Sequence, residues 1–363
     1  MPLLAGGALE LPLGLLADGG RRRRVAVLAG GIVFTLSLAA VAGARSFVVL
    51  LAAFTAFYPA SGAFVSLSQA ELMDAWPDRQ ARVMARWDLA GSTGAVAGPL
   101  LVTAVIAARG GWRAAYLVLA ALAAAAWIGT CLRDDDPARA EAGPAPPGPA
   151  PPGPALSARV REVLAALRRW RTVRWLVLLQ VADLLVDVLT GFAALYLVDV
   201  AGLSPAVAAL GIAVRLGSAL AGDALLVFVL DRVSDLTVLR ASAVAAALLY
   251  PGFLLAPGPA AKLALLAVLS AATAPWYPLL QARLYGSLPG RTPVAVTLNS
   301  AAGLAGGLGP LAVGLIAGRF GLSWALAGLS VVPIAVLAGT AGAGTAGAGT
   351  AGAGTADGGT AGA

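Results

Sequence analysis

The feature that most constrains this chain is its repeated return to apolar runs of about 20 residues, separated by short charged turns. A helix of that length spans the hydrocarbon core of a bilayer. The runs fall at residues 25–43, 47–68, 88–108, 114–132, 175–199, 205–230, 238–256, 261–282, 293–318 and 321–338. A shorter apolar segment fills residues 1–18. In hydrocarbon every backbone polar group must be satisfied within the spanning structure, and runs of this length suit helices rather than barrel strands. Composition agrees: 59% of the chain is hydrophobic and 12% is charged, against about 25% charged in soluble domains. The expectation is an all-α polytopic membrane protein with about eleven spans, five before and six after a central break.

The charges set an orientation. The net charge of +7 would suit nucleic acid if the basic residues formed one patch, but they lie between the spans. Four of them, Arg21–Arg24, follow one another directly. A charge at the bilayer midplane costs about 2.5–3.5 kcal/mol on insertion scales, so this block stays on the cytoplasmic side. Propagating that choice gives the inner loops 19 of the Lys and Arg residues and the outer loops five: Arg45, Arg109, Arg113, Lys262 and Arg319. Arg215 alone lies within a span. The chain has no histidine, which removes histidine-based catalysis and ligation. Its single cysteine, Cys131, leaves neither a disulfide framework nor a thiolate metal site. No cofactor or metal is expected.

The arginine block ends a motif. Gly14, Leu16, Ala17 and Asp18, followed by Arg21, Arg22 and Arg23, resemble the loop signature of the major facilitator superfamily of secondary transporters. That signature reads Gly-x-Leu-Ala-Asp-(Arg)-x-Gly-Arg-Lys/Arg and lies between the second and third membrane helices. The spacing after Asp18 is one residue short, or else Arg21 takes the glycine position. The resemblance implies two bundles of six helices, so residues 1–18 correspond to helix two. The expectation that follows is an annotated start too far downstream, with the first helix missing.

Organisation follows the composition. Residues 1–133 form an N-terminal helical bundle, corresponding to helices two to six of the family pattern. Residues 134–174 are a linker, Pro/Gly-rich through PAPPGPAPPGPA, which favours extended polyproline-type chain. Its second part, Ser157–Arg171, reads as a short basic amphipathic helix lying on the anionic inner leaflet or offering a patch to a soluble partner. Residues 175–338 form the C-terminal bundle, corresponding to helices seven to twelve. Residues 339–363 repeat Gly-Thr-Ala-Gly-Ala, as a disordered tail would.

Ionisable residues inside spans are the sharpest functional hints, because an unpaired charge in hydrocarbon is expensive. Gln180, Asp183 and Asp187 lie three and four residues apart, on one helical face. Arg215 and Asp223 lie eight apart in the next span. The set reads either as structural acid–arginine pairs or as a cation or proton site in a wet cavity. Glu10, beside Pro12 in the first segment, is a further candidate. Tyr58, with Phe54 and Phe57, and the pair Trp276 and Tyr277 lie in what the resemblance makes helices four and ten. Both helices line the substrate cavity in the superfamily, and rings with polar tips suit an amphiphilic substrate. Lipid-facing placement is the alternative. Gly94-x-x-x-Gly98-Pro99 resembles the core of a glycine-rich motif of the superfamily's exporters, and Gly309-Pro310 recurs in the second half. Both imply close helix approach. The arginine that many proton-coupled exporters carry in helix four is missing around Gly62. Asp231-Arg232, near Asp235, resembles a degenerate second copy of the loop motif.

The resemblance implies alternating access in a multi-pass protein of a bacterial cytoplasmic membrane. It implies a non-enzymatic, proton-coupled exporter of a small organic or drug-like molecule. Its partners would be the bilayer, the substrate and protons or another cation, and not nucleic acid. A transport-inactive truncated protein or membrane scaffold is the alternative, and an intramembrane enzyme a third reading.

Overall fold

The computed structural model describes residues 20–132 and 156–341. The segment 1–18, most of the linker and the terminal repeats lie outside them, and with them Glu10, Gly14 and Asp18. Within the described residues all ten expected spans are helices long and apolar enough to cross a membrane. Four precede the linker: α1 (Gly20–Gly43), α2 (Phe47–Ala75), α3 (Gln80–Ala107, entered through a 3₁₀ turn at Pro77–Arg79) and α4 (Gly111–Leu132). The short helix after the linker is α5 (Leu156–Leu167). It ends four residues before the expected Arg171, and that arginine belongs to the following span, α6 (Trp170–Leu195), which closes in a π-helical turn at Tyr196–Val200. Then come α7 (Pro205–Val229) and α8 (Asp235–Leu255). Starts are written in the sequence. Ser46, Ser204 and Ser234 each accept the backbone N–H three residues on, and Pro205 fills the first position of α7.

The last three spans are each built from two helices: α9 (Pro259–Thr273) and α10 (Trp276–Gly286), α11 (Thr292–Gly306) and α12 (Gly309–Phe320), α13 (Leu322–Gly328) and α14 (Val331–Ala341). A proline lacks an N–H, and its ring crowds the carbonyl four residues back. Each break sits at such a point, with Ala274 four before Pro278, Gly306 four before Pro310 and Leu329 four before Pro333. Pro59, Pro99 and Pro251 lie inside unbroken helices.

The chain groups into two compact units. The first takes the chain up to Gln180 together with Leu280–Ala312, and the second takes Val181–Leu279 and everything from Val313. In the first, α1 packs on α2 and α4. A Cβ on Gly30 would lie 3.0 Å from that of Ala63, and the Trp127 indole donates to the Leu28 carbonyl at 3.0 Å. In the second, α7 packs on α9 so closely that a Cβ on Gly222 would sit 2.6 Å from the Ala271 carbonyl oxygen. There, buried Tyr250 donates to the Leu326 carbonyl at 2.8 Å. Leu255, Phe47 and Trp324 stand 82%, 75% and 74% exposed, surface that a lipid-embedded chain covers with acyl chains.

Candidate functional site

Two places gather polar side chains that a bilayer protein would otherwise avoid. The first lies in the first unit, at the end of the helices marked by Arg22–Arg24. The Arg23 guanidinium reaches from the first turn of α1 to the Asp74 carboxylate at the last turn of α2, 2.7 Å away. The other Asp74 oxygen accepts from the Thr292 hydroxyl. Thr292 is the first residue of α11, whose N-cap, Arg291, makes no side-chain cap. Asp74 therefore places negative charge beside an uncapped helix N-terminus, a favourable arrangement. One turn deeper, buried Tyr285 of α10 donates to Gln69 of α2 at 3.5 Å, and the Gln69 amide donates to Met84 of α3 at 3.2 Å. Met73 and Met84, both fully buried, fill the space around this pair. Buried Thr172 stands 3.3 Å from the Ser287 hydroxyl. A charged outer layer and a neutral inner layer thus tie helices that precede the linker to helices that follow it by more than 100 residues.

The second place lies in the second unit. Asp183 is half-buried and Asp187 exposed on α6. Asp187 lies within Coulombic reach of Asp183 and of Arg215 on α7. Arg215, 8% exposed, donates to the Thr190 hydroxyl at 2.6 Å, and its Nε has no partner. Thr190 in turn donates to the Val186 carbonyl. Asp187 thus stands in electrostatic reach of both Asp183 and Arg215, and Thr190, which spacing alone did not reveal, joins Arg215. Asp223, two turns on in α7, is buried and follows Gly222, the point of tight α7–α9 contact.

The remaining candidates separate. Gln180 belongs to the first unit, where its amide donates to Asn299 at 3.5 Å. Its carbonyl oxygen stands 2.5 Å from where a Gly306 Cβ would lie, against the break between α11 and α12. Tyr58 is half-buried in a ring cluster, edge-on to Phe57 at 5.5 Å, with Phe34 5.1 Å beyond. Trp276 is fully enclosed and donates to Ser242 at 3.0 Å, so its ring serves the packing of α10 on α8. Tyr277 beside it is half-buried. The close approach expected at Gly94 and Gly98 is not made: a Cβ at either would meet open space, because the apolar stretch of α3 is left uncovered. The α11–α12 break falls just before Gly309 and Pro310, so that pair opens a helix instead of tightening one. Arg23 enters the lock, and Arg21 and Arg22 precede it in the first turn of α1.

A family profile described as Major Facilitator Superfamily matches residues 1–297. Among solved structures, the transporter FucP in an outward conformation is 16% identical with a TM-score of 0.76, covering 93% of this chain and 87% of that one. A variant of the Escherichia coli fucose:proton symporter FucP is 15% identical with a TM-score of 0.73, covering 93% and 88%. The human organic anion transporter MFSD10 is 17% identical with a TM-score of 0.66, covering 93% and 83%. Identities this low carry the fold. Among curated protein sequences none matches.

Proposed function

The chain belongs to the Major Facilitator Superfamily, whose solved members compared above are transporters and not enzymes, and from that premise we propose proton-coupled export of a small organic, drug-like molecule by alternating access. The membrane is the cytoplasmic membrane of a bacterium, with Arg21–Arg24 in the cytosol. The observation that carries the reading is the two-layered lock at the arginine-rich end. Arg23, Asp74 and Thr292 tie α1 and α2 to α11, so this end opens only if those bonds break. That is the element alternating access requires: a closure on one side that a change elsewhere can release. The lock closes the cytoplasmic end of the first unit.

Coupling is assigned to the second unit. With Asp183, Asp187 and Arg215 all charged, the group carries one surplus negative charge within the span. Exposed Asp187 is stable there only facing water, and Asp183 beside it is the better proton carrier once Arg215 neutralises Asp187. Tyr58 supplies a polar tip for the organic substrate. Symport is the second reading, favoured by the likeness to a fucose:proton symporter.

The test is transport of a compound panel by proteoliposomes under imposed pH gradients of either sign. Export predicts that substrate moves against the proton flow, and symport that it moves with it. D183N is expected to lose the response to the gradient while retaining downhill movement. A gradient response unchanged in D183N removes Asp183 from coupling.

A further inference from the structure

The helix after the linker has a surface that its own unit does not use. Ala166 of α5 is 1% exposed, and this side packs on α11. At roughly 100° per residue, Val160, Leu164 and Leu167 form a separate narrow stripe, turned well away from Ala166. They are 43%, 54% and 42% exposed. Arg161 and Arg168 flank that stripe on one side, both exposed. The chain then turns at Arg168–Arg169, held by bonds from their N–H groups to the Ala165 and Ala166 carbonyls at 3.3 and 3.0 Å. It enters the bilayer through Trp170, 72% exposed.

The cations around this turn crowd one another. Arg174, one turn into α6, lies within Coulombic range of both Arg171 and Arg283. Its guanidinium rests over the Trp175 ring at 4.6 Å, and among the described residues it makes no salt bridge. Arg168, Arg169 and Arg171 are exposed beside it. Several positive charges held together at the root of a span, above an exposed apolar stripe and an exposed indole, have one complement that satisfies every part. It is an anionic headgroup joined to acyl chains.

We infer that α5 and the first turn of α6 form a binding site for anionic phospholipid of the leaflet on the Arg21–Arg24 side. Arg168, Arg169 and Arg171 hold the headgroup phosphate, while Val160, Leu164, Leu167 and Trp170 enter the acyl region. A soluble acidic partner would match the charges but leave the stripe and Trp170 exposed to water.

The experiment uses the full chain in phosphatidylcholine vesicles that carry a fixed fraction of brominated lipid, either phosphatidylglycerol or phosphatidylcholine. The Trp170 contribution to fluorescence is the difference between the wild type and W170F. Brominated phosphatidylglycerol is expected to quench Trp170 severalfold more than brominated phosphatidylcholine, since each engaged arginine favours anionic lipid about fivefold. The preference should fall to near unity in R168Q/R169Q/R171Q, persist in R109Q/R319Q, and shrink in wild type at high salt. The salt series tests the site even if the triple variant does not fold. Equal quenching by the two lipids overturns the inference. So does failure of either to quench Trp170, the result for a soluble-partner surface. Loss of the preference in millimolar inorganic phosphate at constant ionic strength also overturns it, in favour of a small-anion site.

Discussion

Replacing Asp74 by asparagine should open the arginine-rich end of the first unit. The substitution keeps the size of the side chain and one acceptor oxygen but removes the charge that holds three partners. A partly exposed ion pair such as Arg23–Asp74 contributes about 0.5–1 kcal/mol. The negative charge beside the bare N-terminus of α11 adds about 0.3–1 kcal/mol. Weakening the Thr292 hydrogen bond from a charged to a neutral acceptor costs about 1 kcal/mol. Together these favour closure by about 2–3 kcal/mol, a 30- to 150-fold change in the ratio of closed to open. Thr172 gives the readout, being fully buried at the same end. In a C131S background, T172C should react with a membrane-impermeant maleimide slowly and only from the cytosolic face. Adding D74N should raise that rate by at least tenfold. D74E, which keeps the charge, should restore slow labelling. Labelling in D74N within about threefold of its parent would refute the assignment, leaving closure to the Gln69–Tyr285 layer.

Three further outcomes follow from packing. G222A places a methyl 2.6 Å from the Ala271 carbonyl oxygen and 2.9 Å from the Ala274 Cβ. It should destabilise the protein by about 1–3 kcal/mol, seen as a lower midpoint in detergent thermal unfolding, while G94A, facing open space, should not. Arg109 holds a left-handed φ of 63°, so R109G should leave the loop intact and raise the midpoint by the equivalent of about 1 kcal/mol. Lys262 is 7% exposed and donates to the Tyr196 hydroxyl and to the Phe253 and Leu254 carbonyls at 3.0–3.1 Å. It caps the C-terminus of α8, so K262M should cost about 2–3 kcal/mol by leaving those carbonyls unpaired. A midpoint unchanged in K262M would show that water replaces the ammonium.

Hydropathy made the spans legible because hydrocarbon thickness fixes their length. It could not show where helices continue beyond the bilayer. The span expected at 47–68 continues to Ala75, and the one expected at 88–108 begins at Gln80. The extra turns of α2 carry Gln69 and Asp74, which hold the lock, and those of α3 carry Arg82 and Arg86, which counted as inner-loop charges. One signal was available: Leu67, Ala70 and Met73 recur every three residues through a stretch that also carries Ser68, Gln69 and Glu71, and all three are buried. The acid–arginine group on α6 and α7 was legible because charge inside a span is rare enough to stand out. Close glycine contacts were not. In a chain with 45 glycines, local sequence cannot tell Gly222, pressed on Ala271, from Gly98, which meets nothing. Only the partner helix decides.

The broken spans show the same limit from the other side. A proline alone does not break a helix here, since Pro59, Pro99 and Pro251 are carried inside continuous ones. Nor does an upstream glycine suffice, because Gly94 and Gly98 precede Pro99 in unbroken α3. Irregular backbone at membrane depth persists only where protein or water covers it. At the α11–α12 break that cover is visible. The Gln180 amide reaches Asn299 within α11 and presses its oxygen toward Gly306, the last residue of α11 before the break. A side chain at Gly306 would collide with that oxygen. The glycine is therefore needed for the polar group that covers the break as much as for the bend itself. Gln180, expected among the substrate-facing residues, has a defined structural partner in α11, so any role with substrate must work through movement of that helix.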